Sequence, residues 1–205
     1  KELNSSRERA AFDLMVYTGQ RIRAIQTLRI KDLDMEQGRF YLNTDAAGLK
    51  GAKGMRPMTI ARGGVADWLD DHPAPDDDEA YLFSKRPGAA RGNIYDPIYQ
   101  STISRPIRQA CKRAGIDRWQ DRGHPHNLRH TFVRWAYVTQ GMDIETIKWM
   151  GGWAQSSNTF ENTYFNILDV EHAEKAEKAT GTFDGEEEDE ADITPEVCPV
   201  CDNRL

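Results

Sequence analysis

Apolar residues recur at helical spacing in RERAAFDLMVY, with Ser5 and Ser6 placed to cap the start. That pattern predicts a helix over Arg7–Tyr17, ended by Thr18-Gly19, and a second short helix over Arg21–Leu28. From Ile30 to Ile60 the period shortens. Lys31–Met35, Gly38–Asn43 and Met55–Ile60 read as three strands, the last two joined by the Gly-rich turn Gly48–Gly54. Ala61–Asp71 returns to helical spacing and is closed by His72-Pro73-Ala74-Pro75. Pro75–Glu79 reads as a loop, Tyr81-Leu82-Phe83 as a short extended piece, and Lys85–Pro97, rich in Gly, Pro and Arg, as a surface loop. Helices are predicted at Pro97–Gly115, Asn127–Gln140, Asp143–Met150, Thr159–Phe165 and Asp169–Ala179. The expected class is mainly α with a small antiparallel β-sheet, an α+β domain. No internal repeat is visible.

Composition adds a boundary. The 205 residues suffice for one good-sized core and a small appendage. Beyond Gly181 the chain turns acidic and poor in apolar residues, as a disordered linker does. The expected division is a folded unit over residues 1–180 and an acidic tail over 181–205. No apolar run approaches a membrane span, and the start, Lys1-Glu2-Leu3-Asn4, lacks a signal region, so a cytoplasmic protein is expected. Cys111, Cys198 and Cys201 are too few and too uneven for a disulfide framework.

A net charge of −6 argues at first against a nucleic-acid partner. Its distribution reverses that. Residues 184–205 hold nine acids and one base, which leaves 24 acids and 26 bases, about +2, over residues 1–183. Arginine outnumbers lysine 18 to 9, which suits phosphate gripping because a guanidinium makes two parallel bonds to phosphate oxygens. GC-rich codon usage accounts for the same bias.

Three strings carry chemistry: Thr18-Gly19-Gln20-Arg21, His126-Asn127-Leu128-Arg129-His130 and Glu161-Asn162-Thr163-Tyr164. Together they supply two arginines, a histidine and a tyrosine, the set needed to hold a phosphodiester, neutralise its charge and attack it with a phenol. There is no obvious carboxylate cluster for a two-metal route. In this order, the strings resemble the boxes of the tyrosine recombinase (phage integrase) family. Thr18–Ile22 is similar to its first arginine motif, and His126–Phe132 to its His-x-Leu-Arg-His box. Ile147-Lys148-Trp149-Met150-Gly151-Gly152-Trp153 resembles the box usually ending Leu-Gly-His, with Trp153 at the histidine position. The likeness spans roughly residues 7–170.

The resemblance implies the catalytic domain of a site-specific DNA recombinase over residues 1–180, working without a metal. It implies that Tyr164 attacks the scissile phosphate to form a 3′-phosphotyrosine while Arg21 and Arg129 clamp the non-bridging oxygens. His126 would accept the phenol proton, and Trp153 would donate its indole N–H and pack the pocket. A lysine in the strand–strand turn would protonate the leaving 5′-oxygen. Lys50, which enters the turn from the strand, is preferred over Lys53 at its tip. His130 is expected to support from within the fold. Tyr137 and Tyr81 compete with Tyr164 for the nucleophile's part, but neither follows a box of the expected kind.

The implied partner is double-stranded DNA carrying attachment sites, held by a homotetramer that exchanges a C-terminal helix; Asp169–Ala179 fits that helix, as it fits a solvated terminal one. The phrasing of residues 21–28, the 48–52 turn and the cysteine tail resemble archaeal integrases of cells and viruses. The abrupt opening beside the first catalytic helix suggests a piece of a longer integrase. Two departures stand out. Ala24 occupies a position where the family usually has Glu or Asp, and the interval from Trp153 to Tyr164 is longer than the family's common one by about two residues, with Asn158 and Thr159 placed to cap a shifted helix. Cys198-Pro199-Val200-Cys201 looks like half a zinc ribbon, two ligands of the four that a structural Zn²⁺ needs. The rival readings are type IB topoisomerase strand relaxation, and a DNA-binding protein that kept the fold without the activity.

Overall fold

The computed structural model describes residues 3–42, 53–85, 92–116, 126–155, 158, 160, 163–164, 172–173 and 176–181. Helix α1, Ser6–Thr18, starts under Ser5, whose hydroxyl accepts from the Glu8 amide at 3.2 Å. It ends at Gly19, in the left-handed region at φ 65°, whose N–H returns to Met15 O. Helix α2, Ile22–Gln26, follows at once. The expected strand over Lys31–Met35 shrinks to β1, Leu33–Asp34, because Ile30–Asp32 forms a 3₁₀ turn. Asp32 bends that segment by accepting from the Arg29 amide, while Ile30 and Lys31 donate to Ala80 O and Asp78 O.

Strand β2, Arg39–Leu42, alternates exposed and buried residues and pairs antiparallel with β1 and with β3, Gly54–Pro57, in the order β1-β2-β3. The third strand stops short of Ile60, since the chain turns at Thr59, φ 53°, into α3, Ala61–Asp70. Helix α4 is Gln100–Arg113. The helix expected over Asn127–Gln140 is two pieces, α5 over His126–Arg134 and a π-helical turn over Trp135–Thr139, closed by Gln140 N on Trp135 O. Helix α6, Ile144–Gly151, begins under the Asp143 carboxylate and ends at Gly152, φ 70°. Phe160, Thr163 and Tyr164 are helical, as are 172–173 and 176–180. Among the described residues, no helix is long and apolar enough to cross a membrane.

Helix α1 is the hub. It packs on α3, α4 and α5, and ten of its thirteen residues are buried. It packs tightly on α3, where a Cβ on Gly64 would lie 2.3 Å from Asp13 Oδ2. The main core joins α1–α4 to the sheet. A second cluster gathers Phe132, Ala136, Ile147, Met150, Trp153, Phe160 and Tyr164 between α5, α6 and the following helical residues. Each such side chain removed from water contributes roughly 1.5–3 kcal/mol before entropy is counted. The second cluster positions the candidate chemistry.

Candidate active site

Two helix ends and one arginine define the site. Gly19 closes α1 in a conformation that costs a side chain energy, and a Cβ there would meet Phe132 Cδ1 of α5 at 2.2 Å. The bare backbone thus brings the Gly19 carbonyl against α5. Arg129, on α5, donates from Nη1 to Gly19 O at 2.5 Å and to Gly151 O at the end of α6. One guanidinium nitrogen therefore joins two helix C-termini, whose carbonyls are the negative ends of their dipoles. Gln20 adds a second tie, its Nε2 donating to Met150 O at 2.5 Å.

Arg129 is 1% exposed, and its Nη2 has no hydrogen-bond partner among the described residues. A buried N–H left unsatisfied costs about 1–3 kcal/mol, so its persistence calls for an acceptor. Burial lowers the Arg129 pKa to about 9, and the nearby Arg21 charge adds to that fall. The group still carries its charge at pH 7. Its guanidinium carbon lies 3.2 Å from the centroid of Trp153.

Tyr164 closes the other side of Trp153, with ring centroids 5.8 Å apart and planes at 86°. It also contacts Phe160 at 4.9 Å and His130 at 5.1 Å. The phenol is 1% exposed, and burial pushes its pKa up to about 12, against the pull of the Arg129 and Arg21 charges. At neutral pH it is protonated and needs a base before it can attack. Burial, then the Arg129 charge, lowers the pKa of the half-buried His130, which keeps that imidazole neutral. Packing fixes the geometry: a Cβ on Gly151 would lie 2.0 Å from Trp153 Cζ3, so only glycine admits the indole there.

Of the predicted residues, the structure brings Arg129, Trp153, Tyr164 and His130 into one contact cluster. Arg21 caps α2 at φ −71°, ψ 145°, and is exposed, although its charge acts on both Arg129 and Tyr164. At this junction it is Gln20, buried and bonded to Met150 O, that points inward. His126 opens α5, but its side chain lies outside what is described, as do Lys50, Cys198 and Cys201. Lys53 is exposed at the foot of β3. Ala24 is buried in the main core. Sequence reasoning missed Gln20 and the two carbonyls on Arg129, which share no local pattern.

Known proteins agree with this architecture. Residues 1–171 match the model of the Phage integrase family. The tyrosine recombinase XerC of Lactobacillus delbrueckii subsp. bulgaricus is 26% identical over 178 residues, covering 81% of this chain and 54% of the relative. XerA of Pyrococcus furiosus is 28% identical over 153 residues, 75% of this chain and 48% of XerA. The crystal structure of XerA recombinase superposes with a TM-score of 0.62 at 26% identity, over 82% of this chain and 57% of that one. XerH, solved on its palindromic difH substrate after cleavage, shares the fold at a TM-score of 0.58 and 21% identity, over 84% and 45% of the two chains. The chain spans about half the length of the curated relatives it matches.

Proposed function

The chain belongs to the phage integrase family, and from that premise we propose that it cuts and rejoins double-stranded DNA as a tyrosine-type site-specific recombinase. Tyr164 Oη attacks the scissile phosphorus, forming a bond to the 3′-phosphate and breaking the bond to the 5′-oxygen. The phenol proton passes to His126, and the leaving oxygen takes a proton from Lys50, or from Lys53. Rejoining is the reverse, with the 5′-hydroxyl of a partner strand attacking the phosphotyrosine. The bond energy is kept in the intermediate.

One observation carries the reading: Arg129 presents an unpartnered buried Nη2 while its guanidinium and the Tyr164 ring pack against the same indole. A phosphate oxygen is the acceptor that Nη2 lacks, and a phosphate there lies beside the phenol. Arg21, exposed and electrically coupled to both, marks the side from which DNA approaches. The two arginines take the added negative charge of the transition state, and His130 holds the Tyr164 ring. The chemistry therefore proceeds with a chelator present. The working assembly is a homotetramer on two duplexes, in the cytoplasm.

The test is covalent trapping. Nicked suicide duplexes carrying candidate attachment sequences are incubated with the protein in EDTA and run on SDS gels. An adduct that disappears in Tyr164→Phe supports the proposal. An adduct that persists moves the nucleophile elsewhere. Bound DNA that never becomes SDS-resistant favours a silent DNA-binding protein.

A further inference from the structure

Arg129 has a counterpart that the proposed mechanism does not use. Arg56, on β3, is 4% exposed, yet no carboxylate lies within ion-pair distance of it among the described residues. Its Nη1 donates to the adjacent Met55 carbonyl at 2.7 Å, and its Nε has no partner. Burial lowers its pKa. Its guanidinium carbon lies 4.8 Å from the centroid of Trp149, which is 41% exposed. Among the described residues the two most deeply buried arginines thus each stack on a nearby tryptophan, Arg129 on Trp153 and Arg56 on Trp149, either side of Gly151 and Gly152.

A buried cation with neither an acid nor a full set of acceptors is a poor device for stability. Arg56 pairs across the sheet with Phe40 and stands three residues after Lys53. Trp149 stands on α6, whose end carries the Gly151 carbonyl on Arg129 and the indole against Tyr164. No other described side-chain contact of this kind links β3 to α6. The pair therefore bridges β3, which starts one residue after Lys53, and α6, which ends at Gly151.

We infer that Arg56, through its stack on Trp149, is a positioning residue that holds the sheet's lysine end against α6, so that the proton for the leaving 5′-oxygen is delivered in register with the Arg129–Tyr164 clamp. The inference rests on the proposed recombinase reading. Arg56 touches neither the phosphate nor the phenol. Its effect is felt only in the step that protonates the leaving oxygen.

The discriminating probe is a suicide duplex whose scissile 5′-bridging oxygen is replaced by sulfur. A thiolate leaves without being protonated, since thiols ionise near pH 8.5 and alcohols do not. Cleavage rates are measured on the oxygen and sulfur duplexes for the protein, Arg56→Lys, Trp149→Ala, and the Lys50→Ala and Lys53→Ala references. Arg56→Lys keeps the charge and loses the planar stack, and Trp149→Ala alters an exposed side chain, so both are chosen to fold. Each is expected to lose roughly tenfold on the oxygen duplex and to regain nearly all of it on the sulfur duplex, as the responsible lysine variant does. Equal losses on both duplexes, or no loss on either, overturn the inference. An intact protein that forms no adduct on either duplex overturns the recombinase reading and this inference with it. A protein that cleaves both, with unrescued Arg56 and Trp149 variants, leaves the former standing alone.

Discussion

The guanidinium carbon of Arg129 sits 3.2 Å from the centroid of Trp153, and the Nη1 of the same group donates to the Gly151 carbonyl, two residues before that tryptophan. Cation, indole and backbone turn are therefore one packing unit. Gly151 is its weak point, because a Cβ would overlap the indole at 2.0 Å. Gly151→Ala is expected to destabilise the fold by about 1–3 kcal/mol through overpacking, and to reduce cleavage by displacing Trp153 from Arg129. Urea unfolding and adduct yield, measured together, check this. Unchanged stability would mean that the indole has a second place to go.

Tyr164 supplies a pH test. Its pKa rises from 10.0 unfolded to about 12 folded, so the native state keeps the phenol proton longer than the unfolded chain does. The stabilisation is complete below pH 10 and is lost as pH rises toward 12, at up to about 1.4 kcal/mol per unit. Tyr164→Phe is expected to flatten that alkaline loss and to remove a phenol that ionises near 12 from an ultraviolet titration. A phenol that titrates near 10 in the native protein would contradict the burial argument.

Two neighbouring glycines on α3 should respond with opposite signs. Gly63 is exposed with open space where a Cβ would go, whereas a Cβ on Gly64 would meet Asp13 Oδ2 at 2.3 Å. Gly63→Ala is expected to stabilise by about 0.5–1 kcal/mol through helix propensity. Gly64→Ala is expected to destabilise by about 1–3 kcal/mol by prying α1 from α3. Thermal melts of the two variants separate these effects.

Cys111 is buried on α4, and burial pushes its thiol up to about 11. It is expected to resist iodoacetamide in the native protein at pH 7.5 and to react once the protein is unfolded. Rapid native labelling at Cys111 would mean that α4 opens locally.

The sequence was most legible where chemistry and local geometry coincide. Ser5 and Gly19 cap α1 as their residue types require, and Arg129, Trp153 and Tyr164 assemble although each stands more than ten residues from the next. Legibility failed where the decisive partner is distant backbone. The 3₁₀ turn at Ile30–Asp32 answers to Ala80 and Asp78 carbonyls, and Gln20 answers to Met150 O. Neither leaves a periodic signal. The π-helical turn at Trp135–Thr139 follows from packing, since Trp135 meets Tyr17 and Phe132 across the α1–α5 contact. Arg56 escaped for the same reason: a lone arginine on a short strand reads as solvated until Trp149 is seen beneath it.

The most direct measurement of the central claim is the chemical identity of the protein–DNA link. The suicide-duplex adduct formed in EDTA is digested with nuclease and trypsin, and the modified peptide is sequenced by tandem mass spectrometry. A nucleotide 3′-phosphate esterified to the Tyr164 oxygen is the predicted result. The same modification on Tyr137, Tyr81 or any residue other than Tyr164 would contradict the account, because the Arg129 clamp would then serve a nucleophile that it does not touch.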